Sequence, residues 1–214
     1  MLLLAFDSKL TWYVARSSGL VDWLLMAASI VWGLVLSTRL IKRRGLPAWL
    51  LSLHRYLGNL SMVFLGVHLV SLLLDEYVPF GPKELFVPLA STWRPGAVTW
   101  GIVSMYLLVA IQITSWLMKR LPKVWWRRIH HTSAVVFVAA TVHGFTAGAD
   151  GANPIVQWGA LVVGALVAFL TLVRVLADRR PGRVTVRPRT EPESVPAAGG
   201  PARVAGPVPA APLP

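Results

Sequence analysis

Residues 125–144 read WWRRIHHTSAVVFVAATVHG and combine a long apolar run with histidine at both ends. His130 and His131 lie near the start of this stretch, and His143 lies near its finish. An ionisable side chain within an apolar segment of membrane length costs free energy, so its presence indicates a functional role. The stretch therefore predicts a membrane helix that carries part of a buried site.

A second apolar stretch, residues 53–74, repeats this arrangement. It reads LHRYLGNLSMVFLGVHLVSLLL and carries His54 and His68, which are 14 residues apart. His130 and His143 are 13 residues apart, and at 1.5 Å per helical residue both separations correspond to about 20 Å. All five histidines of the chain belong to these two segments, which predicts that the segments face each other.

The composition is that of a membrane protein. Of 214 residues, 55% are hydrophobic and only 14% are charged, whereas a soluble domain has about 25% charged residues. The chain has no cysteine, which excludes disulfides and thiolate-ligated iron–sulfur clusters. A net charge of +12 is compatible with nucleic-acid binding, but the charges lie in loops between apolar segments. We therefore expect a lipid membrane as the partner and no nucleic acid.

The apolar segments predict an all-α fold, a polytopic membrane bundle of about five transmembrane helices. The predicted helices A to E cover Gly19–Leu40, Trp49–Leu74, Gly96–Met118, residues 125–144 and Ile155–Leu176. We expect three parts: a short extracytoplasmic N-terminus (1–17), a transmembrane domain (18–177), and a disordered cytoplasmic tail (178–214). The tail is rich in Pro, Ala and Arg and has lost apolar periodicity.

The distribution of charge predicts the orientation. One side of the membrane receives 17 basic and three acidic residues, and the other receives four basic and six acidic residues. Because basic loops stay in the cytoplasm, the first side is predicted to be cytoplasmic. We expect a multi-pass protein of the cell membrane with its N-terminus outside and its C-terminus in the cytoplasm.

Predicted helices B and D cross the membrane in the same direction, so their histidines can pair at two depths. Each pair can hold one flat cofactor, and haem iron suits two axial imidazoles in an apolar slot without thiols. Small residues beside the histidines would leave room for a macrocycle: Gly58, Gly66, Ala139, Ala140 and Gly144. Two alternatives remain open, a histidine-lined proton or metal-ion transporter and a non-redox membrane scaffold.

Helical geometry fits one segment better than the other. Fourteen residues return to within about 40° of the same helix face, whereas 13 residues end about 140° away. Using His131 in place of His130 gives 12 residues and about 120°. Predicted helix D must therefore be distorted, or its histidines must reach the site from its flanks. Spacing alone does not choose between His130 and His131.

Four motifs resemble the ferric reductase-like transmembrane domain superfamily over residues 18–176. They are LHRYLG with His54, GVH with His68, WRRIHH with His130, and the HG that begins at His143. The superfamily includes ferric reductases, the membrane half of NADPH oxidases and the haem subunit of a periplasmic methionine sulfoxide reductase system. The resemblance implies two haem b groups, an inner one between His54 and His130 and an outer one between His68 and His143.

The resemblance also implies partners for the haem propionates and for the electrons. Arg55 and Arg128 would face the inner propionates and Arg94 the outer ones, although basic residues here also serve topology and headgroup contact. The chain contains no GxGxxG after a strand, so a separate cytoplasmic flavoprotein, reduced flavin or quinol would be the donor. The expected function is a transmembrane electron conduit to an extracytoplasmic acceptor, as a ferric reductase-like oxidoreductase or an electron-transfer subunit without its own flavin/NAD(P) domain.

Overall fold

The computed structural model describes residues 8–38, 46–76, 78 and 80–178. Within these ranges the chain is helical and contains no strand, which confirms the predicted all-α class. The helices are α1 (Ser8–Thr38), α2 (Leu46–Leu73), α3 (Pro82–Phe86), α4 (Pro95–Trp116), α5 (Lys123–His131), α6 (Ser133–Ala147) and α7 (Pro154–Asp178). A 3₁₀ turn, Ala149–Ala152, joins the last two. From position 179 onwards the predicted tail lies outside the described residues.

Four of these helices are long and apolar enough to cross a membrane. Their spanning segments are Lys9–Thr38, Ala48–Leu73, Pro95–Trp116 and Pro154–Leu176. Large apolar side chains on α7, such as Trp158 and Phe169, are 67% and 61% exposed, as expected of a surface solvated by lipid. The prediction of a multi-pass membrane helix bundle is thus confirmed.

The first helix begins at Ser8, so its predicted start near Gly19 is wrong. Polar side chains before Gly19 are accommodated within the helix. The Ser18 hydroxyl, for example, donates to the Val14 carbonyl oxygen at 2.6 Å. Arg16 pairs with Asp150 of the 3₁₀ turn. As a consequence, Asp22 lies in the middle of α1 rather than at its entrance.

Predicted helix D is not one helix but two, α5 and α6, which are separated at Thr132. The Thr132 N–H donates to the Ile129 carbonyl oxygen at 3.0 Å, three residues back rather than four. The Thr132 hydroxyl donates to the same carbonyl at 2.7 Å. This tightened turn changes the rotation between His130 and His143, and it supplies the distortion that their 13-residue spacing required.

The helices pack in two sets. Helix α2 packs chiefly against α1, and α6 packs chiefly against α4. Helix α1 joins the sets because it also contacts α6 and α7. One joining contact is the stack of Trp23 on Phe137, whose ring centres are 5.7 Å apart. The histidine-bearing helices are therefore held in place by different partners.

The Arg16–Asp150 pair ties α1 to the turn before α7, and its loss should destabilise the protein. Asp150 is buried, so Asp150→Asn leaves the Arg16 guanidinium without its anionic partner. We expect a loss of about 1–3 kcal/mol in unfolding free energy, measured by denaturant titration in detergent. In a double-mutant cycle with Arg16→Met, the second substitution should cost little once the first is present. Fully additive effects would show that the two side chains do not interact.

Candidate functional site

The structure brings four of the five histidines together as two facing pairs. In the first pair, the ring centres of His54 and His130 are 6.0 Å apart, and the ring planes are at 76°. In the second pair, those of His68 and His143 are 6.4 Å apart, at 80°. Helix α2 supplies one member of each pair, and α5 and α6 supply the other members.

Three of the four histidines are held in the same way, by a hydrogen bond from Nδ1 to a backbone carbonyl oxygen of a neighbouring helix. The bonds join His54 to Ser29 at 2.9 Å, His68 to Ala15 at 2.7 Å, and His143 to Ala97 at 2.9 Å. A carbonyl oxygen only accepts, so Nδ1 carries the proton. The lone pair is then on Nε2, the arrangement that second-shell acceptors impose on metal-binding histidines.

Each of these three rings also lies against a glycine, four residues after the residue whose carbonyl it bonds. The repeated pattern is a small residue, three others, and glycine: ARSSG at 15–19, SIVWG at 29–33 and AVTWG at 97–101. A Cβ atom on the glycine would lie 3.1 Å from the His68 ring at Gly19, 3.3 Å from the His54 ring at Gly33, and 2.7 Å from the His143 ring at Gly101. We call each of these a glycine cradle. The cradles were not predicted, although the three segments with the same spacing are visible in the sequence.

The fourth member, His130, is held differently. Its Nδ1 atom is buried and has no hydrogen-bond partner, and the Trp126 ring stacks on it at 5.1 Å and 24°. Its neighbour His131 is exposed. The geometry thus brings His130, and not His131, to His54.

The three arginines expected near the site all lie exposed. Arg94 donates to the Thr146 carbonyl oxygen at 2.7 Å, at the end of α6 that carries His143. Arg55 follows His54 directly in α2. Arg128 lies over the ring of Trp125, with 5.7 Å from its guanidinium carbon to the ring centre.

The small residues expected to leave room for a macrocycle differ among themselves. A Cβ atom on Gly66 or Gly144 would meet nothing within 4 Å, so both positions border open space. The space beside Gly58 is instead filled by the Gln112 side chain, because a Cβ atom on Gly58 would lie 3.1 Å from Gln112 Oε1. Ala139 and Ala140 are buried in the packing of α6.

The donor set of each pair is two imidazole nitrogens. No group of three or more His, Cys, Asp or Glu side chains suited to a metal ion occurs in the described ranges. Zinc sites normally take three or four protein ligands, so neither pair fits them. Haem iron brings its own equatorial ligands and needs only axial ones.

The spacing of the pairs agrees with one metal ion between two imidazoles. A metal–nitrogen bond of about 2.0–2.1 Å, with about 1.1 Å more from Nε2 to the ring centre on each side, separates the ring centres by about 6.3 Å. The observed separations are 6.0 and 6.4 Å. Both ring-centre separations therefore agree with ligation of one haem iron by each pair.

The fold and the site define the chain as a multi-pass membrane helix bundle with two internal pairs of facing histidines. Residues 18–141 match the family described as ferric reductase like transmembrane component, so the chain belongs to this family, as the motifs suggested. Transmembrane domains of this family generally bind haem and support transmembrane electron transfer. The match ends two residues before His143. Comparisons with curated proteins and with solved structures gave no match.

A methyl group added within a cradle should displace its histidine. In Gly101→Ala the new Cβ would lie 2.7 Å from the His143 ring, so the ring must shift and lengthen its bond to the Ala97 carbonyl. We expect haem content per chain, measured by pyridine haemochrome assay, to fall below that of the unaltered chain. Gly96→Ala is the matched control, because its Cβ meets nothing within 4 Å on the same helix. Equal haem content in both variants would contradict the role of the cradle.

Proposed function

We propose that the protein is a transmembrane conduit that uses two haem b groups to pass electrons from a cytoplasmic donor to an extracytoplasmic acceptor. The proposal is carried by one observation, the presence of two imidazole pairs whose ring centres are 6.0 and 6.4 Å apart. His54 and His130 would be the axial ligands of the inner haem. His68 and His143 would be those of the outer haem.

The proposed chemistry divides between cofactor and chain. Haem iron supplies the one-electron chemistry by changing between its ferric and ferrous states. The chain would orient the four Nε2 atoms toward the iron. For three of the histidines, a helix carbonyl and a glycine cradle fix the orientation of the ring. Two histidines at each site would hold the haem iron from both sides, an arrangement that would favour electron transfer over binding of oxygen at the metal.

The arginines support the depth assignment of the two sites. Arg94 reaches the end of α6 that carries His143, and its guanidinium retains donors beyond the one used for Thr146. We propose that Arg94 contacts a propionate of the outer haem. Arg55, next to His54, and Arg128, two residues before His130, would serve the inner haem.

The partners are proposed from charge and chemistry. The first histidine pair lies at the end of the bundle that carries Lys119, Arg120, Lys123, Arg127 and Arg128. By the positive-inside rule this end would face the cytoplasm of a cell-membrane protein, with the N-terminus outside. A cytoplasmic flavoprotein, reduced flavin or membrane quinol would be the donor. Ferric iron, oxygen or a partner oxidoreductase would be the acceptor.

The two alternatives gain no specific support from the site. A proton or metal-ion pathway needs groups that exchange partners, whereas three imidazoles here have Nδ1 tied to backbone carbonyls. A scaffold would not need facing imidazoles at metal-bridging distance. We therefore retain the conduit as the proposed function.

The layered assignment predicts which haem each substitution removes. His68→Ala should lower the haem-to-protein ratio from two to about one and remove the outer component of the reduced-minus-oxidised spectrum. His131 follows His130 directly and belongs to neither pair, so the control variant His131→Ala should keep both haems. Loss of both haems in His68→Ala with normal folding, or no haem in the unaltered chain, would contradict the assignment.

The orientation can be tested because the chain has no cysteine of its own. The two test variants each carry a single cysteine: Lys83→Cys in α3 and Lys123→Cys at the start of α5. Under our proposal the first cysteine lies outside the cell and the second lies in the cytoplasm. In intact cells, a membrane-impermeant maleimide should label the first and leave the second unlabelled until the membrane is opened. The reverse pattern would invert the proposed direction of electron flow.

A further inference from the structure

Helices α1 and α2 run antiparallel in a regular register that includes the histidine anchors. Polar contacts recur every seven residues along both helices. Along α1 the three contacts join Ala15 to His68, Asp22 to Ser61, and Ser29 to His54. The Asp22–Ser61 contact is therefore midway between the two histidine pairs, about 10.5 Å along the helix from each anchor.

Asp22 and Ser61 are deeply buried, and the mechanism proposed above uses neither. Asp22 is 6% exposed and Ser61 is 1% exposed. The Ser61 hydroxyl donates to a carboxylate oxygen of Asp22. A carboxyl group at this depth of a membrane bundle is costly and is retained where it has a function.

The immediate surroundings of Asp22 are neutral. Beside it, Trp23 donates to the Thr141 hydroxyl of α6 at 2.9 Å and stacks on Phe137. The packing of α7 against this part of α1 includes Val163 and Val167. The side chain that contacts the Asp22 carboxylate directly is that of Ser61.

The titratable and charged groups on the helices around Asp22 lie at other levels. On α2 these are the exposed Tyr56, five residues from Ser61, then Arg55 at six residues, and His54 and His68 at seven. Arg16 of α1 is paired with Asp150. The remaining ones are Lys9 and the exposed Tyr13 near the start of α1, His143 at the far end of α6, and Arg174 and Asp178 near the end of α7. Between its ends, α4 carries no charged residue.

We propose that Asp22 is a redox-linked proton-binding site shared by the two haems. This inference rests on the proposed function, because it needs both haems in place. When an electron from the donor reduces either haem, the Asp22 carboxylate binds one proton from water and becomes a carboxylic acid. When that electron leaves, the O–H bond breaks and the proton returns to water. One carboxyl between two sites takes up at most one proton for two electrons.

The size of the effect follows from the distance. One added charge about 10 Å away, at an effective dielectric constant of about 20, changes the proton affinity of a carboxyl on the order of tenfold. By linkage, the proton then changes the electron affinity of the haem by the same factor. A tenfold change corresponds to about 59 mV for a one-electron couple.

The test is a spectroelectrochemical titration of both haems in the full chain, reconstituted in nanodiscs, as a function of pH. In the unaltered chain, the midpoint potential should fall by about 59 mV between its low-pH and high-pH plateaus. Asp22→Asn keeps the acceptor for Ser61 and cannot ionise. This variant should lose the fall in midpoint potential, and at every pH its potential should stay near the low-pH value of the unaltered chain. The control is Glu76→Gln, which removes an exposed carboxyl just after the end of α2. This variant should retain the pH dependence of the unaltered chain.

Two results would overturn the inference: the same pH dependence in Asp22→Asn as in the unaltered chain, or potentials of the unaltered chain that do not vary with pH. The haem-to-protein ratio, measured first, separates these results from failure of the proposed function, which would appear as missing haem. If Asp22→Asn does not fold, the infrared reduced-minus-oxidised difference spectrum of the unaltered chain decides. A protonated-carboxyl band that appears on reduction supports the site, and its absence contradicts it.

Discussion

The hydrogen bond from an imidazole Nδ1 to a helix carbonyl is the interaction on which the two histidine layers depend. A carbonyl at position n of a helix points along the axis toward the N–H of residue n+4. An imidazole that bonds to this carbonyl must approach over residue n+4, and a side chain there would block it. This is why Gly19, Gly33 and Gly101 each follow the accepting residue by four positions. The carbonyl has two lone pairs, so the helix keeps its own bond while it orients the ring.

The register between α1 and α2 accounts for the spacing of the histidines on α2. Two helices that pack side by side return to the same face every 3.5 residues, so 14 residues correspond to four such turns. The anchors on α1, Ala15 and Ser29, are 14 residues apart, as are His54 and His68. The 13-residue spacing on the opposite side does not fit this rule. There the chain breaks its helix at Thr132, and the histidine before the break, His130, is the one without a carbonyl anchor.

Much of this arrangement follows from local signals in the sequence. Apolar runs bounded by charge and proline give α2, α4 and α7 to within a few residues, and matched histidine spacings indicate the pairs. The early start of α1 could not be predicted from the sequence. Serine is a residue typical of helix ends, and the sequence does not show that the Ser18 hydroxyl donates to a carbonyl of its own helix. That error hid the position of Asp22. Helical spacing left open whether His130 or His131 belongs to the site, and the family resemblance gave His130. The structure brings His130 to His54 after the tightened turn at Thr132.

The central claim is that each histidine pair is a six-coordinate haem site. Low-temperature electron paramagnetic resonance of the oxidised full chain tests this most directly, because it reports the axial ligation of ferric haem. Near-perpendicular imidazole planes, at 76° and 80°, should give strongly anisotropic low-spin signals that account for two haems per chain. A high-spin ferric signal from either haem would show an open axial position and would contradict the account.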